Sequence, residues 1–257
     1  MSSAQDITPP LTLEELATLF RQDVDDLPGD TVTDVNWKNN DTGLLWSNQE
    51  VARYANQAET EFCFRQPIHD HNTDLTITHV SVTGATQVGN LSNKILSIKR
   101  AKWVDGTTAD ETPLLKRTSG WMDRKHSDWD KESNAAVQGV PEFYITDMNS
   151  GVIFLYPIPV NSGVVHMTVD RLPSSPMLWP QRHQHTPEIH EEHHLCLLEY
   201  MKHLAYKKRD SETEDKNLAQ DFLDAFTAMV GERPSARLLR VRKQERNYPR
   251  HVRAHFF

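Results

Sequence analysis

The residues best equipped for chemistry begin at His190. His190-Glu191-Glu192-His193-His194 matches H-E-x-x-H. On a helix, His190 and His194 share a face that can hold zinc, and Glu191 can serve as general base for hydrolysis. Glu212 or Glu214 would then be the distant third ligand. The surroundings favour a plainer reading. Glu192 and His193 put charge and polarity where a zinc-peptidase helix is apolar, and the metzincin continuation fails at Leu197 and Tyr200. The preceding stretch is a Pro-rich loop, not a substrate-binding edge strand. The expectation is the solvated first turn of a helix, with Glu191 and Glu192 at its positive end. His194→Ala should then leave folding and assembly largely intact. His69, Asp70 and His71 read as polar loop, and Asp123, Asp128 and Asp130 lack the spacing of a calcium loop. Walker A, G-x-G-x-x-G and G-x-S-x-G motifs are absent, so neither a cofactor nor a metal is expected.

Charge is distributed unevenly. The chain carries a net charge of -8, yet from Glu232 onward there are eight Lys or Arg against two Glu. That segment is therefore +6, and the remainder, with 20 basic and 34 acidic residues, is -14. Such asymmetry points to an acidic partner surface. Arg237, Arg240, Arg242, Arg250 and Arg253 are interleaved with Leu238, Leu239, Val241, Tyr248, Phe256 and Phe257. Phosphate contacts and stacking on nucleic acid are one reading of this pattern, and a solvated tail is another. The terminal Phe256-Phe257 pair is poorly suited to water, which favours docking on a partner protein after disorder in the free state.

The elements that position these residues follow from periodicity. Thr12 with Glu15 and Ser47 with Glu50 form capping boxes ahead of apolar stripes, predicting helices over about 12–25 and 48–65. Two further helices are predicted over about 187–208 and 213–230, the last with an apolar face of Leu218, Phe222, Ala225, Phe226 and Met229. Gly231 supplies a left-handed C-cap. The region between, about 68–182, changes period. Leu75–Thr78, Val80–Val82, Ile95–Val104, Phe143–Asp147, Val152–Pro157 and Val164–Val169 read as strands, and Gly120–Glu132 as a short helix. Asn149-Ser-Gly151 and Asn161-Ser-Gly163 are turns.

The composition, 37% apolar and 25% charged over 257 residues, is that of a soluble globular chain. No run is long enough to span a membrane, and Met1-Ser-Ser-Ala-Gln-Asp has no signal-peptide character. Cys63 and Cys196 read as reduced buried thiols.

Several short motifs occur in a telling order. Trp46-Ser-Asn-Gln-Glu-Val is followed by Tyr54-Ala-Asn-Gln-Ala58. Phe154-Leu-Tyr-Pro157 and Pro159 precede Val169-Asp-Arg-Leu-Pro173. Leu198-Glu-Tyr-Met-Lys-His-Leu-Ala-Tyr-Lys-Lys208 comes before Asp210, Glu212, Phe222 and Phe226. Together, over about Leu45–Val230, they resemble the head-to-tail adaptor (connector) proteins of tailed bacteriophages, particularly of short-tailed phages. The histidine-rich stretch and the region from Thr107 to Asn134 depart from that pattern. The resemblance implies a dodecameric ring mounted under the portal after DNA packaging, with a C-terminal extension reaching the portal.

The combined expectation is a structural, non-enzymatic α+β protein. N- and C-terminal helix pairs form a bundle with a β-rich insert in a body of residues 1–231, followed by a portal-docking tail over 232–257. Expected partners are further copies in a ring, the portal, a tail or nozzle protein, and viral DNA passing through the channel without sequence-specific binding. No membrane is involved. Its place would be the head–tail junction of the virion, and the host cytoplasm during assembly. A zinc peptidase and a nucleic-acid-binding module are the alternatives.

Overall fold

Two reciprocal caps start the first helices. The Thr12 and Ser47 hydroxyls accept from the N–H groups of Glu15 and Glu50, whose carboxylates accept in return from the N–H groups of Thr12 and Ser47. A computed structural model describes residues 10–26, 35–39, 43–126, 129–130, 137–209 and 214–235. Its first elements are α1 (Leu13–Asp23), α2 (Asn48–Arg65), β1 (Ile68–Asp70), α3 (Leu75–Thr78), β2 (His79–Val82) and β3 (Val88–Asn90). There follow β4 (Ile95–Asp105), β5 (Glu111–Lys116), α4 (Ser119–Lys125), β6 (Gln138–Gly139) and β7 (Phe143–Ile145). The series ends with β8 (Val152–Tyr156), β9 (Ile158–Pro159), β10 (Gly163–Arg171), α5 (Cys196–Tyr206) and α6 (Lys216–Val230). The class is α+β.

The described residues form two compact units, one from the chain up to Ile68 together with Leu172–Pro234, the other His69–Arg171. In the first, α1, α2, α5 and α6 contribute to one apolar cluster that includes Leu16, Phe20, Trp46, Tyr54, Met201 and Phe226. Burying a side chain of this size contributes about 1.5–3 kcal/mol. A polar network lies inside the cluster. Arg21, fully buried, pairs with Asp26 and donates to the Trp46 carbonyl and to Asn48 Oδ1 at 2.8 and 2.9 Å. Asn48 in turn donates to the Trp37 carbonyl, and Asp26 accepts from the N–H groups of Leu45 and Trp46. Burial pushes the Asp26 carboxyl up even with the Arg21 guanidinium beside it.

The second unit is a large curled mixed sheet. Its order is β1-β10-β4-β5-β7-β8-β3, with β2 also paired to β10. β5 and β7 are parallel, whereas β10 runs antiparallel to β4 and β2. Val165, Met167 and Val169 alternate into a core shared with Trp103, Ile153 and Leu155. The ring of Trp103 lies against Gly163, where a Cβ would also collide with the Val104 carbonyl. Asp70 and Arg171, which begin and end this stretch of chain in β1 and β10, form a buried ion pair at 2.7 Å.

Several expectations are corrected. Leu75–Thr78 is a helical turn, because Asp74 caps it while Asp70 accepts from the N–H groups of Thr73 and Asp74. The helix expected from Pro187 begins only at Cys196. Before it, the Glu188 N–H donates to the buried Glu59 carboxylate, and His194 is held by Leu11 and Ile189. α6 starts at Lys216, where Asp215 caps two N–H groups. α4 is shorter than Gly120–Glu132, and β3 and β5 were not anticipated. Met229 is 57% exposed and Phe222 only half-buried, so the true core face of α6 is Ala219, Phe226 and Val230.

These placements make two predictions. Phe226→Ala should cost about 3–5 kcal/mol in urea unfolding, and Met229→Ala within about 0.5 kcal/mol of nothing. Equal costs would mean that the core face is wrong. Burial pushes the Asp70 carboxyl up, but hydrogen bonds from Arg171, Thr73 and Asp74 and the Arg171 charge outweigh it and hold it below its ordinary value. Its contribution is therefore complete above the ordinary 3.8 and lost as pH falls through the folded value. Asp70→Asn should remove about 3 kcal/mol near neutral pH and flatten the acid limb of stability against pH.

Candidate assembly surface

The strongest chemical motif is absorbed into the scaffold. Glu191–His193 form a 3-10 turn, not a helix, so His190 and His194 do not share a helical face. His194 is buried, and both its ring nitrogens are engaged. Nδ1 accepts from the Leu11 N–H at 3.0 Å, and Nε2 lies 3.1 Å from the Ile189 carbonyl. That arrangement fits one neutral tautomer, with a proton on Nε2. His190 is exposed, and its Nδ1 accepts from the Glu192 N–H at the start of the turn. No three His, Cys, Asp or Glu among the described residues are arranged to hold a metal. His190 and His194 thus do not form the paired face that the zinc-peptidase reading needs, and Glu212 lies outside the described residues.

The other polar clusters have structural partners too. His69 and Asp70 lie on β1, not in a loop, and His69 Nδ1 meets Asp170 at 2.6 Å. Asp123 on α4 accepts from the Trp129 indole N–H at 2.9 Å, and Asp128 lies outside the described residues. Cys63 and Cys196 are buried, and burial pushes the Cys196 thiol up to about 12, an unreactive state.

The residues assigned to docking, Arg237, Leu238, Leu239, Arg240, Val241, Arg242, Tyr248, Arg250, Arg253, Phe256 and Phe257, lie outside the described residues. What is described is the base from which that segment departs. α6 ends at Gly231, whose φ of +93° suits glycine. Arg65, in the last turn of α2, donates to the Gly231 carbonyl at 2.6 Å and to Thr227 Oγ1 at 3.0 Å, and its guanidinium lies over Phe226. Gln66 donates to the Val230 carbonyl at 3.0 Å. Arg233 pairs with Glu61 at 3.0 Å and covers the Phe64 ring. Sequence reasoning counted Arg233 only as charge and gave Arg65 no role. A usable signal was Glu61 and Arg65, one turn apart at the end of an amphipathic helix.

A second surface runs along α6. Leu218, Phe222, Ala225 and Met229 follow in steps of four, three and four residues, and all remain at least partly exposed. Phe222 stacks on Tyr206, with the Lys202 ammonium 4.7 Å from its ring centre. Beside this stripe lies the buried one, Ala219, Phe226 and Val230. The apolar face of α6 is thus wider than the part that the described residues cover. No helix among the described residues is long and apolar enough to cross a membrane.

The chain matches the model of the SU10 adaptor protein family over residues 11–253 and belongs to that family, whose members are phage head–tail adaptors. It is accordingly a structural virion protein that joins head and tail. None of the curated proteins compared with it matches the chain.

The role of His194 yields a third prediction. Contrary to the expectation from sequence, His194→Ala leaves the buried Leu11 N–H without its acceptor and should cost about 1–3 kcal/mol. Desolvation holds the folded pKa of both His194 and His203 below the ordinary 6.5. The unfolded chain therefore takes up protons first, and their contribution is lost as pH falls through 6.5 toward the folded values. Denaturant unfolding at about pH 7.5 and about pH 5.5 should show this loss, reduced in His194→Ala.

Proposed function

We propose that copies of this chain close into a dodecameric ring between the portal and the tail, around the channel through which DNA leaves. The observation that carries this reading is the charge division. A segment of +6 departs from a body of -14 at a base secured by Arg65, Gln66 and Arg233. The body is residues 1–231, with its terminal helix pairs as a bundle and its insert over about 68–182. Residues 232–257 are the docking tail. Arg237, Arg240, Arg242, Arg250 and Arg253 accelerate encounter with an acidic portal surface, and Leu238, Leu239, Val241, Tyr248, Phe256 and Phe257 anchor the segment once it has docked.

One tail alone binds weakly, because ordering a free segment costs conformational entropy. A ring of tails on a ring of portal subunits binds tightly by multivalency. The half-exposed stripe of α6 supplies apolar area for contact between neighbouring copies. The acidic body lets DNA slide past without sequence-specific contact, and the opposite face of the ring receives a tail or nozzle protein. Assembly takes place in the host cytoplasm, and the finished protein resides at the head–tail junction.

Deleting Arg237–Phe257 should leave the body folded and abolish stable attachment to DNA-filled heads, which then leak DNA or fail to acquire tails. The measurement is a count of decorated portal vertices by electron microscopy after mixing purified protein with tailless heads. Equal decoration by truncated and full-length protein would rule out the tail as the portal anchor.

A further inference from the structure

Alternation along β10 places Val165, Met167 and Val169 in the core and leaves Val164, His166 and Thr168 on the opposite face of the sheet. Register then selects their neighbours. His166 stands opposite Lys102 of β4 and His79 of β2, and Thr168 stands opposite Arg100. The rings of His79 and His166 are 3.9 Å apart between centres. From the bend after β1, His71 Nδ1 reaches Thr168 Oγ1 at 2.9 Å. These residues enclose a cavity of about 70 Å³, lined by His71, Asn72, Arg100, Lys102, His166 and Thr168, with Glu111 of β5 also in its wall.

The wall is rich in donors. Arg100, Lys102, the Asn72 amide and the Thr168 hydroxyl can all donate, and each imidazole donates from at least one nitrogen. The only carboxylate in the wall, Glu111, is held by Lys102 at 2.6 Å. Arg100 meets no carboxylate at ion-pair distance among the described residues. The cavity has room for a tetrahedral oxyanion. A guanidinium fork beside an ammonium and two imidazoles matches the oxygens of such an anion.

We propose that this cavity binds a phosphate group, either the free anion or a phosphodiester of a nucleic-acid backbone. The site stands on the sheet unit alone and does not depend on ring formation or on the tail. Contact with a backbone phosphate positions nucleic acid without reading its sequence.

The electrostatics couple this site to pH. Desolvation lowers the His166 pKa, and the charges of His79, Lys102 and His71 lower it further against the pull of Glu111. Arg100 faces the same cavity, while Lys99 and His69 are engaged by Asp170. A bound anion compensates the repulsion, so binding takes up a proton and strengthens as pH falls.

The test is a titration of full-length protein with sulfate, a tetrahedral dianion of constant charge over the range used, followed by imidazole NMR at about pH 6 and about pH 8. His166 and His71 should shift saturably, with tighter binding at the lower pH. Arg100 and Glu111 are exposed, so their variants keep the fold. Arg100→Gln should weaken binding at least about tenfold by removing the bidentate donor. Glu111→Gln should tighten it several-fold by removing the competing carboxylate. Displacement of sulfate from His166 by a short DNA duplex identifies the phosphodiester as the ligand. Inorganic phosphate displacing it where the duplex does not identifies the free anion. The proposal is overturned by the absence of a saturable response, by an equal response to chloride at matched ionic strength, or by unchanged affinity in both variants.

Discussion

A guanidinium with no exposure to water organises the helical unit. Arg21 reaches from α1 to Asp26, to the Trp46 carbonyl and to Asn48, and so ties α1 to the start of α2. Removing a charge of this kind from water costs several kcal/mol, which only a fully formed set of partners offsets. The segment that supplies those partners also starts α2, since Ser47 caps the helix and Trp46 is buried beside it. α2 then carries the remaining attachments. Asn56 receives and returns hydrogen bonds with Met177, and Glu59 takes the Glu188 N–H. Arg65 and Gln66 hold the end of α6. Within the motif running from Trp46 to Ala58, Ser47, Asn48, Glu50 and Asn56 all bond to backbone groups, so it serves as a structural device.

Within the sheet unit, β10 plays the corresponding part. It has β1, β2 and β4 as neighbours, and its alternation separates an apolar core from a polar face. Gly163 at its start permits the close approach of Trp103. The Arg171–Asp70 pair at its other end is buried, so that margin of the sheet depends on a charge interaction in which neither partner can be changed alone.

Features set by neighbours a few residues away were legible in sequence. Both capping boxes, the Gly231 stop and the alternation of β10 belong to this group. Features decided by distant groups were not. Leu75–Thr78 is the exception, because its determinants are local: it alternates like a strand, but the carboxylates of Asp70 and Asp74 favour a helical turn. H-E-x-x-H satisfies a pattern of spacing, yet Leu11, from the far end of the chain, claims its second histidine. The histidines along the sheet looked scattered because register alone brings His71, His79 and His166 together. The residues assigned to docking were chosen by charge and apolar content and lie outside the described residues, and the contacts that fix the chain just before them required the meeting of α2 and α6.

That base also determines how the chain bears mechanical load. Tension applied beyond Pro234 reaches Arg233 first, whose ion pair and ring contact transfer it to Glu61 and Phe64 on α2. Whatever passes further meets the bonds from Arg65 and Gln66 to the last carbonyls of α6. Pull is thus shared between two helices before α6 can unwind from its end. Contacts on both helices must therefore give way before α6 unravels.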